Sequence, residues 1–416
     1  MVAINADRLW GRIEALSRFT DPAAPWTRRS FDHQFSCGRA WLEQEFQSAG
    51  LTVSMDAGGN LLGRLPGTGS GACPLVSGSH SDTVPSGGRF DGALGLLAAL
   101  EAAQSIQEQK ISLSHPLEVV DFLAEEPSEF GLSCIGSRSW AGLLTASDLE
   151  RRSPSHLTLA AAIDSVGGSA ERLVSPLRGH GSVAAYVELH IEQGLVLAAR
   201  NAQIGVVSSI VGIRRFEVTI EGRADHAGTT PMALRRDALV GAAHFIRAVD
   251  DLARARPGDH PYLVATVGKL SLLPNAINAV PGSVSMILEI RSTDPEAMTH
   301  FEGALWKQTE GELKPRGLRL VISPLSQTLP TICSPHIQDT IEQAAAAAGT
   351  RSTRLPSGAG HDAVFVARLA PVGMIFVPCK EGRSHVPEEW AEPPDCAKGA
   401  QILAETLVLL DQTLPV

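Results

Sequence analysis

The chain has 416 residues, 44% of them hydrophobic, 19% charged and 5% aromatic; that balance excludes a disordered or fibrous chain, and the length calls for two compact domains. A formal charge of −10 with no dense Lys/Arg cluster gives no field for phosphate backbones and argues against a nucleic-acid partner. No run of roughly eighteen apolar residues marks a membrane span, and Asn5, Asp7 and Arg8 interrupt the start where a signal peptide needs apolar sequence, so a cytoplasmic protein is expected.

Leu9, Ile13 and Leu16 predict an amphipathic helix over residues 6–19, and Trp41, Leu42 and Phe46 another over 38–49. Short apolar runs at 61–65, 75–79 and 117–124 then read as strands, with an Ala-rich helix at 92–103 between the last two. Further runs at 184–191 and 371–377 predict that one mixed sheet, covered by helices on both faces, collects strands from both ends of the chain. The middle differs. Residues 214–221 alternate strictly, with Phe216, Val218 and Ile220 on one face, as in an antiparallel strand wet on one side. A helix at 234–253, strands at 263–270 and 284–290, a helix at 295–313 and a strand at 318–322 complete an inserted α+β domain of ferredoxin-like type. The expected division is a catalytic domain over 1–210 and 325–416, with the insertion over 211–324. Six cysteines, scattered without a CxxC pair, suggest neither a disulfide framework nor a zinc knuckle.

The chemistry-bearing residues gather at strand ends. His80-Ser81-Asp82 follows the strand 75–79, and Asp91 precedes the helix that begins near Gly92. A histidine with an acid two positions on suits a metal ligand held by a carboxylate, although a hydrogen-bonded turn and a helix cap would use the same residues. Glu125-Glu126 closes the strand 117–124; adjacent acids there serve either a solvated loop or a divided task, one carboxylate on a metal and its neighbour moving protons. His190 lies between Leu189 and Ile191, and His385 sits just beyond the last apolar strand. His80, Asp91, Glu126, His190 and His385 suit two divalent first-row ions, zinc, manganese, cobalt or nickel, better than calcium or magnesium. Two such ions sharing a carboxylate lower the pKa of a water between them and polarise a carbonyl, which is hydrolytic chemistry. Arg291, after the strand 284–290, could pair bidentately with a substrate carboxylate or merely with Asp294. Asn278 and Gln193 could supply hydrogen-bond donors and acceptors to a substrate, or in the case of Asn278 only shape a turn before Pro281. Gly358 and Gly360 would let backbone amides approach a substrate.

Eight segments in order carry a resemblance: GSHSDTV from Gly78, RFDG from Arg89, AEEPSEFG from Ala124, ELHIEQG from Glu188, HAGTTPM from His226, PNAINAVPG from Pro274, SGAGHDA from Ser357 and SHVPEE from Ser384. Together they resemble the hydantoinase/carbamoylase amidases, a branch of the dinuclear-metal aminoacylase and carboxypeptidase clan that includes N-carbamoyl-L-amino-acid hydrolases, β-ureidopropionases and allantoate amidohydrolases. The resemblance implies one metal on His80, Asp91 and His190 and another on Asp91, Glu126 and His385. It implies that Asp82 orients His80 and that Glu125 is the general base. His190 within HIEQG marks the amidase branch; the clan's exopeptidases often carry a carboxylate there. The inserted domain is implied to dimerise and to close as a lid, so that His226 reaches the neighbouring subunit's site and stabilises the oxyanion, where capping of a local turn is its simpler use. His361 and Asp362 are given a supporting role. Val386 and the segment Pro127-Ser128-Glu129 depart from the commonest family string without touching a proposed ligand. The implied activity is removal of the carbamoyl group from an N-carbamoyl-L-amino acid. An inactive ligand-binding homologue is the contrasting reading; a serine amidase is disfavoured because no GxSxG elbow occurs.

Overall fold

The structure is a computed structural model that describes residues 1–256 and 261–415. By contact the chain divides into one unit of Met1–Ser208 with Cys333–Val416, and a second of Ser209–Ile332. The first unit opens with strands β1 (Thr52–Met55), β2 (Leu61–Leu65), β3 (Leu75–His80), β4 (Leu117–Phe122) and β5 (Ala185–Ile191), and β6 (Ile204–Ile210) runs from it into the second. There follow β7 (Gly212–Glu221), β8 (Asp225–His226), β9 (Leu263–Leu273), β10 (Ala279–Val280), β11 (Ser283–Ser292), β12 (Arg319–Gln327) and β13 (Thr331–Ile332). The chain then returns with β14 (Ser352–Ser357) and β15 (Val372–Val377). Helices of the first unit are α1 (Ala6–Ser17), α2 (His33–Ser48), α3 (Ala93–Glu108), α4 (Ile135–Trp140), α5 (Ala146–Leu149), α6 (Leu159–Ser165) and α7 (Val196–Arg200). The second unit has α8 (Ala238–Arg254) and α9 (Pro295–Leu313), and α10 (Pro335–Ala347), α11 (Ala363–Val366) and α12 (Pro393–Thr413) close the chain.

The main sheet runs β1-β2-β4-β3-β5-β15-β6, with β14 also on β6. β3 is parallel to β4 and β5, and β5 to β15, while β1, β2 and β6 join antiparallel. All residues of β3, β4, β5 and β15 are buried, as in a parallel core covered on both faces. Leu117, Val119, Val187 and Leu189 face the cluster built on α1, α3 and α12. On the opposite face Phe122 meets Trp140 of α4 edge-on at 4.9 Å and Tyr186 at 6.0 Å. That alternation puts Tyr186, Glu188 and His190 of β5 on the same side as Phe122. Helix α3 is apolar nearly all round and almost wholly buried. It presses on β5 at Gly95, where a Cβ would stand 2.0 Å from the Leu189 carbonyl oxygen.

The second unit carries a four-stranded antiparallel sheet, β12-β7-β11-β9. Val284, Met286, Leu288 and Ile290 alternate inward along β11 and pack with Phe245 of α8 and Met298, Phe301 and Leu305 of α9. β12 continues through Pro324 to Gln327 because Ser326 and Gln327 still pair with Arg215 and Arg214 beyond an irregularity. The helix expected from Leu234 begins instead at Ala238, where Asp237 accepts the N–H groups of Leu239 and Val240. Similarly α2 starts at His33, with Asp32 as its cap.

Candidate metal centre

His80 ends β3, Glu125 and Glu126 follow β4, His190 lies near the end of β5, and His385 follows β15, so four parallel strands deliver their carboxyl ends to one place. Behind β4 the turn is set by Ala124, whose φ of 52° is left-handed. The amides of Gly136, Ile135 and Cys134 lock it by donating to the carbonyls of Leu123, Ala124 and Glu125. Gly92, at φ 63°, begins α3 directly against His80; a Cβ there would lie 2.4 Å from the imidazole. Asp91 does not cap α3, since its carboxylate is turned to the histidines.

Asp91 spans the site. Its Oδ1 is 3.0 Å from His190 Nε2 and its Oδ2 is 2.9 Å from His385 Nε2. Glu126 Oε1 lies 3.4 Å from the same His385 nitrogen. The ligand atoms of His80, Asp91 and His190 lie within 4.8 Å of one another, and so do those of Asp91, Glu126 and His385. His80 Nδ1 meets the Asp82 carbonyl oxygen at 3.0 Å, and His190 Nδ1 meets that of Ile191 at 2.8 Å. Carbonyls there fix the proton on Nδ1 and turn the Nε2 lone pair inward. At His190 that lone pair then faces a carboxylate oxygen, an arrangement that demands a proton or a cation between them. The donor set therefore fits divalent metal ions.

Electrostatics say the same. Burial raises the Asp91 carboxyl, but hydrogen bonds from His190 and His385 outweigh it and hold Asp91 well below the usual carboxylate range. Hydrogen bonding to Asp91, against burial, lifts His385 to about 9. Burial and the nearby Asp91 push Glu126 up to about 8. At Glu126 and His385 a proton balances charge that a bound cation would balance instead.

Glu125 Oε2 is 3.6 Å from His80 Nε2. Burial, opposed by His80 and reinforced by Glu126, pushes its carboxyl well above the usual range. Asp82 has a wider role than its sequence position shows. Its carboxylate accepts the Ser30 hydroxyl at 2.7 Å and the amides of Glu125 and Glu126 at 3.3 and 3.2 Å, tying the Glu125 turn to the His80 loop. Contact with His80 runs mainly through the Asp82 carbonyl, the carboxylate lying at 3.4 Å. Gln193 lies at the same centre and gives its amide nitrogen to Asp91 at 3.1 Å and to Ser384 at 3.2 Å. Gly360 is exposed, and a Cβ there meets no protein atom within 4 Å, so no contact within the chain requires glycine. His361 packs edge-on against His190 with ring centres 4.7 Å apart, and Asp362 accepts the Ser137 hydroxyl, so both stand behind the ligands.

Several residues here escape a reading of the sequence. The Cys134 thiol lies 3.5 Å from Glu125 Oε1. Glu188, fully buried, is satisfied by Ser79 and Tyr186 at 2.7 and 3.1 Å. Glu389 accepts the amides of Phe90 and Asp91. No local spacing signals these contacts, except that Glu389 falls inside the SHVPEE segment.

In the second unit, His226 Nδ1 accepts the amides of Gly228 and Thr229 at 3.0 and 3.2 Å. Its neutral form therefore carries the proton on Nε2, as a donor. Asn278 is beside it: its carbonyl accepts the Ala227 amide at 2.9 Å, and Ala279 pairs with His226. Arg291 bonds Glu289 at 2.7 Å rather than Asp294, whose carboxylate caps α9. His226 and Asn278 lie near the Ser283 end of β11, where Gly282 binds Gly222. Arg291 is eight residues further along that strand, roughly 27 Å at an antiparallel rise.

A mixed α/β sheet bringing imidazoles and carboxylates to its strand ends defines a divalent-metal hydrolase. Residues 76–408 match Peptidase family M20/M25/M40. Over 410 residues the chain is 40% identical to an N-carbamoyl-L-amino acid amidohydrolase of Geobacillus stearothermophilus, covering 98% of this chain and 99% of that one. It is 33% identical to an allantoate amidohydrolase of Bacillus subtilis strain 168, covering 92% of each. A crystal structure of a hydantoinase/carbamoylase family amidase from Burkholderia multivorans superposes with a TM-score of 0.90 at 32% identity, over 98% of both chains. The chain belongs to Peptidase family M20/M25/M40 and, within it, to the hydantoinase/carbamoylase amidases. Among the described residues no helix is long and apolar enough to cross a membrane.

Proposed function

We propose that this chain is an N-carbamoyl-L-amino acid amidohydrolase, acting in the cytoplasm as a homodimer. The observation that carries the reading is Asp91, whose two oxygens each face a different imidazole, with Glu125 beside His80. Two divalent ions, of zinc, manganese, cobalt or nickel, would be held by His80, Asp91 and His190 and by Asp91, Glu126 and His385. When bound they supply Lewis acidity, polarising the ureido carbonyl and acidifying the attacking water. Glu125 takes the proton of that water and delivers it to the leaving nitrogen. One C–N bond is hydrolysed, giving the free amino acid and carbamic acid, which breaks down to carbon dioxide and ammonia.

Arg291, aligned by Glu289, takes the substrate carboxylate, and Asn278 and His226 serve the carbonyl end, His226 through its Nε2 proton. A carbamoyl amino acid cannot span the roughly 27 Å that separates the two ends of β11. His226 and Asn278 therefore act in the neighbouring subunit's site, with the second unit as the dimerising and closing element. Exposed Met232, Leu234, Leu273 and Ile277 around His226 and Asn278 suit such an apposition.

A panel of N-carbamoyl-L-amino acids, β-ureidopropionate and allantoate, offered to the metal-loaded protein with ammonia release as the readout, tests the assignment. Turnover of the carbamoyl amino acids is expected. Turnover confined to allantoate or β-ureidopropionate reassigns the substrate within the branch, and no turnover of any marks a binding protein.

A further inference from the structure

The two cation positions are assembled differently. His80 and His190 stand on the ends of paired strands, whereas Asp91 and His385 stand on loops far apart in sequence. His385 is 48% exposed and has a left-handed φ of 57°. What joins its loop to that of Asp91 is Glu389, 1% exposed. Through Oε1 it accepts the amides of Phe90 at 2.8 Å and Asp91 at 3.1 Å, 299 and 298 residues away in sequence. Through Oε2 it accepts the Ser384 hydroxyl at 2.7 Å, next to His385. Gly88 makes the room, since a Cβ there would lie 2.3 Å from Glu389 Oε1. Alongside, the Arg89 guanidinium lies between the rings of Trp26 and Trp390, 4.9 and 4.8 Å from their centres, so the same two loops are clasped a second time.

We infer that Glu389 is a strut, a positioning residue that holds the Asp91 and His385 loops in register and so completes the cation position made by Asp91, Glu126 and His385. It rests on the two-ion reading proposed above. Glu389 acts by hydrogen bonding and not by its charge, because three donors converge on its two oxygens. A glutamine can reproduce that pattern, its carbonyl accepting both amides and its NH2 donating to the Ser384 oxygen. Alanine cannot. Second-layer partners of metal ligands generally govern affinity by about tenfold to a hundredfold.

The test is titration of cobalt(II) into metal-free full-length protein, followed by calorimetry and by the visible d–d bands of the ion. The unsubstituted chain and Glu389→Gln should bind two equivalents with similar affinities. Glu389→Ala, and separately Ser384→Ala, should keep the first equivalent and bind the second at least about tenfold more weakly, with changed d–d bands. Circular dichroism of the metal-free variants verifies folding, and Ser384→Ala carries the test if Glu389→Ala does not fold. Equal binding of two ions by all variants overturns the strut alone, and a Glu389→Gln protein as defective as Glu389→Ala overturns it in favour of charge. Uptake of a single ion by the unsubstituted chain overturns the two-ion reading and with it the site that the strut completes.

Discussion

The Glu125 carboxyl is held between a thiol on one oxygen and an imidazole on the other, in a pocket that raises its proton affinity. A base of that kind can both accept a proton and give it back, which ionised Asp91 cannot. Glu125→Gln should therefore lower kcat by about 10²- to 10⁴-fold while metal content, measured on the same preparation, stays unchanged. Parallel loss of metal would instead make Glu125 a ligand. The residues of the proposed metal centre were legible as acids and histidines close to apolar runs: His80 and Glu126 at the ends of two, His190 within a third, Asp91 just before the α3 run and His385 in the loop after β15. Asp82 was readable only in part: its spacing from His80 is visible, but its bonds to Ser30 and to the Glu125 and Glu126 amides arise only on folding. Cys134 and Glu389 show no such spacing, since their partners are fixed by the α4 turn and by a contact across 299 residues.

At the level of elements, the site depends on how closely α3 approaches the sheet. Gly92 brings the helix start onto His80, and Gly95 sets the helix on the Leu189 carbonyl, one residue before His190. Gly95→Ala must force backbone apart, because the atom it meets is a carbonyl oxygen in a central strand. We expect it to cost about 1–3 kcal/mol, as overpacking does, read as a lower midpoint in chemical denaturation of the metal-free protein; an unchanged midpoint would show that α3 can shift freely. The sequence signalled this helix by its apolar run but placed its end five residues short, at 103, because the run breaks at Gln104 and Ser105. Ser105 is buried all the same, its hydroxyl bonded to Glu101, which is fully buried and also holds Arg8 and Arg12. β6 was missed for a related reason: Gly205, Ser208 and Ser209 break the apolar pattern of a strand that is nevertheless paired with β15.

For the whole molecule, the decisive feature is the length of β11. With His226 and Asn278 toward one end and Arg291 toward the other, the proposed reading requires two copies to cooperate at each centre. Mixing the separately inactive His226→Ala and Glu125→Gln proteins under conditions that exchange subunits should restore roughly a quarter of normal turnover, since half the pairs are hybrids with one sound centre each. No recovery would place His226 in its own chain's site. The inserted order of the second unit was legible from the strict alternation at 214–221, whereas the distance along β11 needed the strand's true extent.

In the proposed dimer that separation gives lesions two kinds of reach. Damage to Asp91 or Glu125 would silence only the copy that bears it, whereas damage at His226 would leave its own bearer sound and disable the neighbour.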